Sequence, residues 1–256
     1  MKIDAHTHVR EGSADSIVSI SKTIEILKEK GYEGMIVTDH NSYQGYKANT
    51  NDDDFVVLKG IEYDTRDAGH MLIVLPTKID VDIFTHKGMT IKDTVKIVHS
   101  LGGIIGPAHP FDYSKLGMLN NAKWMKNVNI IKHFDFIEGF NACGSLLGNK
   151  KSHLLAQTFN KPVFGGSDSH KAASVGKAFT LLPERISNED ELISLTKSMS
   201  YGETYADGEY YLDAMHNKLG VVYNMGLTLF IGFGKLSSHM SAKKALSEAI
   251  SLSLIW

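Results

Sequence analysis

Near the N-terminus, Ile17, Ile20, Ile24 and Leu27 recur at helical spacing between Asp15 and Gly31, with polar residues filling the other faces. This spacing predicts a helix that begins after Asp15 and stops at Gly31, where a glycine can adopt the left-handed backbone that closes helices. Residues 34–38 form a short unbroken apolar run ending in Asp39-His40, the pattern of a strand buried on both faces. The alternation then repeats: 55–58 and 71–75 read as strands, 91–101 as a helix closed by Gly102-Gly103, and 104–105 as a strand halted by Pro107. Residues 134–140, 162–164 and 177–182 read as further strands, and 146–159 as a helix. Roughly seven or eight short strands interleaved with helices predict an α/β architecture with a mainly parallel sheet, either closed into a barrel or doubly wound. The barrel is preferred, because ligand-type residues follow many strands rather than cluster at one switch point.

No repeat or Pro/Gly-rich linker divides the chain, but its character changes near residue 187. An acidic helix is followed by a Tyr- and Gly-rich stretch at 201–211, an apolar run at 219–234 and an amphipathic tail to Trp256. The chain is therefore read as a motif-bearing barrel over 1–186 and a C-terminal segment, 187–256, that closes the barrel, extends it with helix or forms a homo-oligomer contact. The apolar run carries Asn224 and four glycines and is shorter than a membrane-spanning helix needs, so no membrane role is expected. The N-terminus shows no apolar leader pattern.

Composition narrows the chemistry. Twenty-seven Lys and Arg against 29 Asp and Glu give a formal charge of −2, which offers no bulk field for nucleic acid or anionic membrane. A lone Cys143, read as a small buried side chain, excludes internal disulfides and cysteine-rich zinc modules, and fits a reducing, cytoplasmic location. Any bound metal must use imidazole and carboxylate, so the 12 histidines become the informative residues.

His6 and His8 stand two apart at the end of a predicted strand, a spacing that turns both side chains to the same side. Asp39-His40 ends the next strand. Glu62 falls just past a buried strand, His70 opens another, and His109 follows 104–108 and precedes Pro110. Asp168 and His170 repeat the i, i+2 spacing of the first pair. Singly these residues have ordinary readings: a turn cap for Asp39, a solvated loop carboxylate for Glu62, a core histidine for His70. Together, at the ends of successive strands, they converge on one rim and predict a metal site.

The ordered motifs His6-Thr7-His8, Thr38-Asp39-His40, Gly60-Ile61-Glu62, Ala108-His109-Pro110 and Gly166-Ser167-Asp168-Ser169-His170 resemble those of the PHP (polymerase and histidinol phosphatase) domain family over about residues 1–182. The resemblance implies a distorted seven-stranded, TIM-like β/α barrel that holds two or three divalent ions and hydrolyses phosphate esters. Position by position, it implies His6, His8, Glu62 and Asp168 around a first metal, Glu62 bridging to a second with His70 and His109, and His40 and His170 around a third. The third metal's loop ligand is Asp15 in the Ser13-Ala14-Asp15 spacing, with Glu11 as competitor; Asp15 is also a candidate helix N-cap. Such nitrogen and oxygen donors suit Zn, Mn or Fe.

The implied reaction is attack of a metal-bound hydroxide on phosphorus in a small phosphorylated metabolite or nucleotide, with His40, His109 or His170 as proton shuttles. Arg10 and Arg66 are candidate phosphate contacts, Lys171 a weaker one. Glu138 and Asn141 are expected behind the ligands. The alternatives are an amidohydrolase, a short-oligonucleotide exonuclease, and a degenerate module in which metals only stabilise an interaction domain. Amidohydrolases often bridge their metals with a mid-barrel lysine, where this chain offers Glu62. No stable nucleic-acid complex is expected from the charge.

Overall fold

The structure is a computed structural model that describes residues 1–49, 54–112 and 117–211. The apolar run at 219–234 and the amphipathic tail lie outside these, as do the helical extension and the oligomer contact expected of them.

In chain order the main elements are β1 (Lys2–Thr7), α1 (Ile20–Glu29), β2 (Gly34–Val37), α2 (Gln44–Lys47), β3 (Val56–Thr65), β4 (Gly69–Val74), α3 (Ile91–Ser100), β5 (Ile104–Pro107), α4 (Ala122–Lys126), β6 (Ile137–Asn141), α5 (Leu146–Thr158), β7 (Val163–Gly166), β8 (Ala178–Leu181), α6 (Glu189–Ser198) and β9 (Tyr205–Gly208). Seven strands form a curled half-barrel sheet in the order β5-β4-β3-β2-β1-β8-β9, and β6 pairs with β7 separately. That pair lies between the two sides of the curl. Asp135 N–H donates to the Ile105 carbonyl (2.8 Å) on one side, and Asp168 N–H donates to the His6 carbonyl (2.8 Å) on the other.

The sheet is mixed, not mainly parallel as expected. β1–β2, β2–β3 and β6–β7 are parallel, whereas β3–β4, β4–β5, β1–β8 and β8–β9 are antiparallel. The reason is visible between β3 and β4: only residues 66–68 separate them, far too few for a parallel crossover, and Gly69 at φ 70° completes the hairpin. β3 also runs past the expected 55–58, so Glu62 sits inside a strand rather than in a loop after it.

On β3 and β4 one face carries both packing and chemistry. Leu58 and Leu72 lie in the inner core with Ile3, Ile36, Phe136 and Phe164, while Glu62 and His70 extend the same face toward the rim. Phe136 and Phe164 stack with ring centroids 4.3 Å apart and fill the centre beneath the histidines. Leu192 and Ile193 of α6 join this inner core. A second apolar layer packs α1 against β2 through Ile20, Ile24, Leu27, Met35 and Val37. A third packs α3 against β3, β4 and β5 through Ile91, Val95, Val98, Ile61, Ile73 and Ile105.

Helix α1 begins later than the apolar spacing predicts. Ser19 is its N-cap, with Oγ accepting from Lys22 N–H, and Ile17 is 70% exposed rather than part of the buried face. Asp15 therefore has no capping role. Gly31 at φ 73° ends the helix as expected. No helix among the described residues is long and apolar enough to cross a membrane.

Candidate metal centre

The rim of the curled sheet gathers every histidine and carboxylate that the motifs single out. β1 ends in an irregularity of register between Asp4 and Thr7, and His6 and His8 both turn inward, fully buried, with Nε2 atoms 3.1 Å apart. Glu62 supplies the centre. Its Oε2 lies 3.2 Å from His6 Nε2, 3.1 Å from His8 Nε2 and 3.2 Å from His40 Nδ1. Its Oε1 lies 2.8 Å from His70 Nδ1 and 3.1 Å from His109 Nε2. One buried carboxylate thus faces five imidazoles.

Asp168 Oδ1 approaches His8 Nε2 at 3.4 Å and His170 Nδ1 at 3.6 Å. Asp15 Oδ2 lies 3.0 Å from His170 Nε2 and 3.5 Å from His40 Nε2. Glu11 is placed differently: its carboxylate accepts from Ile20 N–H (3.0 Å) at the start of α1. His109 and Asp168 both adopt left-handed backbone, with φ 28° and 50°, a costly conformation for residues with a β-carbon that native folds retain mostly at functional sites.

Four groups of potential ligand atoms lie mutually within 4.8 Å: His6, His8 and Asp168; Glu62, His70 and His109; His8, His40 and His170; and His40, Asp64 and His70. The last contains a residue that sequence reading missed. Asp64 Oδ1 is buried, makes no hydrogen bond, and lies 3.2 Å from His70 Nε2. Its signal was present as Glu62-x-Asp64, the same i, i+2 spacing as the two recognised pairs, but ending the predicted strand at Leu58 concealed it.

Behind the ligand atoms, Glu138 is fully buried with Oε1 2.8 Å from His6 Nδ1, while Oε2 accepts the His109 backbone N–H. Asn141 Nδ2 donates to Glu138 and to Asp168 Oδ2 (3.0 Å). Cys143 is half-buried rather than buried, with Sγ at 3.4 Å from the Ser167 carbonyl. Arg10 is 64% exposed and pairs with Glu11, and among the described residues neither Arg10 nor Arg66 forms an ion pair with the cluster. His99 makes a surface pair with Asp135, and His86 and His133 are exposed.

The electrostatics describe a centre that needs positive charge. Burial pushes the His6 and His70 imidazoles toward neutrality, yet the surrounding carboxylates outweigh it and hold both above the usual range, with Glu138 dominant at His6 and Glu62 at His70. For His40 the same contest, won by Asp15 and Glu62, ends at about 9. Burial pushes Glu62 up, but His6, His109 and His70 hold it well below the carboxylate range, and His170 and His40 do the same for Asp15. Protons on imidazole here occupy the place that divalent cations can take, and an all-N/O donor set around a shared carboxylate fits such ions.

Comparison with known proteins agrees with this geometry at the level of fold and family. The family model described as PHP-associated matches residues 147–198, the stretch that carries Asp168 and His170. No curated protein matches the sequence significantly. Among solved structures, Endonuclease Q in complex with a 27-mer duplex bearing an abasic lesion is 15% identical with a TM-score of 0.56, covering 86% of this chain and 67% of that one. A Bifidobacterium adolescentis protein to which metal-dependent phosphoesterase activity is ascribed is 15% identical with a TM-score of 0.56, covering 75% and 94%. An amidohydrolase from Chromobacterium violaceum with bound sulfate and no metal is 15% identical with a TM-score of 0.56, covering 76% and 96%. The matched segment and the shared fold together support a PHP-domain family for this chain. These neighbours are described as an endonuclease, a phosphoesterase and an amidohydrolase, and at 15% identity what they share with this chain is the fold.

Proposed function

We propose that this chain is a metal-dependent phosphoesterase acting on a small phosphorylated metabolite or nucleotide. The observation that carries the reading is Glu62, a single buried carboxylate whose two oxygens face different sets of imidazoles. In this reading His6, His8, Glu62 and Asp168 hold one divalent ion, Glu62, His70 and His109 a second, and Asp15, His40 and His170 a third. Zn, Mn and Fe all suit these donors. Bound ions supply a lowered pKa for water and neutralisation of charge developing on phosphoryl oxygens.

The chain's own residues divide the remaining work. Glu138 holds His6 through Nδ1, and Asn141 spans Glu138 and Asp168, so the ligands meet substrate in a fixed arrangement. His40 and His170 are 28% and 25% exposed, and their Nε2 atoms flank Asp15. When the third position is empty, these two imidazoles are placed to pass a proton to the departing alkoxide. His109, the third candidate shuttle, is more enclosed, at 2% exposure. Arg10 and Arg66 are the candidate phosphate contacts in this reading. Glu62 stands where an amidohydrolase would often use lysine, which favours phosphate esters over amides. The charge of −2 favours a small substrate over a long polynucleotide.

Metal analysis combined with phosphomonoester, phosphodiester, oligonucleotide and amide substrates tests this reading. His8→Ala and Asp168→Ala should each lower phosphate release at least about a hundredfold and reduce bound metal, since even outer-shell changes cost 10–100-fold. Full phosphatase activity in both variants would overturn the site, and amide hydrolysis without phosphate release would overturn the substrate class.

A further inference from the structure

His70 turns its two ring nitrogens toward two different carboxylates. Nδ1 lies 2.8 Å from Glu62 Oε1, and Nε2 lies 3.2 Å from Asp64 Oδ1. Both reach it for a local reason: Asp64 is its directly opposed partner across β3 and β4, and Glu62 stands two residues earlier on the same face of β3. Asn41, the residue after His40, fixes the backbone there. It adopts left-handed backbone at φ 48°, donates its N–H to the Glu62 carbonyl at 2.9 Å, and accepts the Asp64 N–H on Oδ1 at 3.0 Å. From the loop before α3, Gly88 N–H donates to the Asp64 carbonyl at 3.2 Å. The Asp64 main chain is thus held on both sides while its carboxylate faces the imidazoles.

That carboxylate differs from the one behind His6. Glu138 Oε1 forms a hydrogen bond with His6 Nδ1, whereas Asp64 Oδ1, although buried, forms none among the described residues. Buried carboxylate oxygens are nearly always satisfied, so one without a donor beside two imidazoles has the character of a metal ligand. His40 closes the group: it, Asp64 and His70 each bring a ligand atom within 4.8 Å of the other two. Two imidazoles and one carboxylate suit a divalent ion such as zinc. His40, Asp64 and His70 are 28%, 30% and 13% exposed, far more open to solvent than the buried His6, His8 and Glu62.

We propose that His40, Asp64 and His70 form a further divalent-cation position, one that competes with the second and third positions for their histidines. The proposal rests on the metal-centre reading, which assigns His70 to the second ion and His40 to the third and gives Asp64 no part. A neutral imidazole offers one lone pair, so each histidine serves one ion at a time. An ion beside Asp64 therefore takes His70 from Glu62 and His109, and His40 from Asp15 and His170. With three protein ligands, all of them solvent-facing, this position is weaker than the buried first one and fills only at higher metal concentration. Excess cation then undoes the arrangement that limiting cation builds.

Crystals of the full chain equilibrated with limiting zinc and with about tenfold excess test this by anomalous scattering at the zinc edge. Excess zinc should bring a peak about 2.0–2.2 Å from an Asp64 oxygen and from one nitrogen each of His40 and His70. Occupancy should fall at the second and third positions as that peak grows, while the first stays filled. Asp64→Asn, which keeps the shape without the charge, and Asp64→Ala should both lack the peak and retain their second and third ions at excess zinc. Zinc at the other positions with none beside Asp64 would overturn the proposal and leave the metal-centre reading standing, as would a peak that persists in Asp64→Ala. Growth of the peak without loss elsewhere would overturn the competition. A rim without zinc at any concentration would overturn the metal-centre reading and this proposal together. Thermal unfolding identifies a variant that fails to fold; the other then decides, and the wild-type crystals judge the position without either.

Discussion

The Glu62 carboxylate accepts from imidazoles on four strand ends, and its low affinity for protons is the counterpart of their high affinity. This pairing has a pH consequence. His6, His40 and His70 have folded pKa values raised above the ordinary imidazole value of about 6.5, so their contribution to stability is present below that value and lost as pH rises through their folded values, about 9 for His40. Glu62 is held low, so its contribution is present above the ordinary carboxylate range of about 4 and lost as pH falls. The metal-free protein should therefore be most stable between about pH 4.5 and 6.5, and denaturant midpoints measured across pH check this. Metal ligands must be deprotonated, so zinc uptake near neutrality should release protons. Calorimetry in two buffers of different ionisation heat reads that number, and zero would contradict the assignment. Packing is equally exacting. A β-carbon at Gly166 would stand 2.3 Å from His6 Cβ and 2.4 Å from its backbone nitrogen. Gly166→Ala should cost about 1–3 kcal/mol in denaturant unfolding and displace His6 enough to reduce metal content.

At the scale of elements, the loop between β1 and α1 shows how neighbouring polar residues divide their tasks. Ser19 caps α1, Glu11 accepts Ile20 N–H, and Asp15 is left to face His40 and His170. Ser19→Ala should cost about 1 kcal/mol of stability with metal content intact, whereas Asp15→Ala should leave unfolding little changed and lower the metal-to-protein ratio. Parallel loss of metal in both would show that the loop acts as one structural unit. The sequence could not separate these roles, because Asp15 and Ser19 are both good caps and the apolar spacing admitted Ile17 into the helix. The β3–β4 hairpin is a similar case. Its apolar runs at 55–58 and 71–75 were legible, but the twelve residues between them concealed the extension of β3 to Thr65 that leaves only 66–68 for the turn, and the same shortening of β3 hid Asp64.

For the whole molecule, the centre joins β1, β3, β4 and β7 with the loops after β2 and β5, so bound metal should add to global stability. Zinc at about a hundred times its dissociation constant should raise unfolding free energy by about 2.7 kcal/mol, and a chelator should reverse the gain. An unchanged thermal midpoint on chelation of metal-loaded protein would place the ions elsewhere. The sequence by itself determined the α/β alternation, the exclusion of thiolate sites and the ordered residues of the rim, because strand and helix periods and residue types are local properties. Tertiary structure alone decided the mixed curl of the sheet, Asp15 rather than Glu11 facing the histidines, and the polar groups behind them. Glu138 meets His6 across 132 positions of chain, and Glu62 meets its five imidazoles only because the sheet bends their strands to one rim. Such contacts depend on through-space distance and hydrogen-bond direction, which spacing along a chain does not encode.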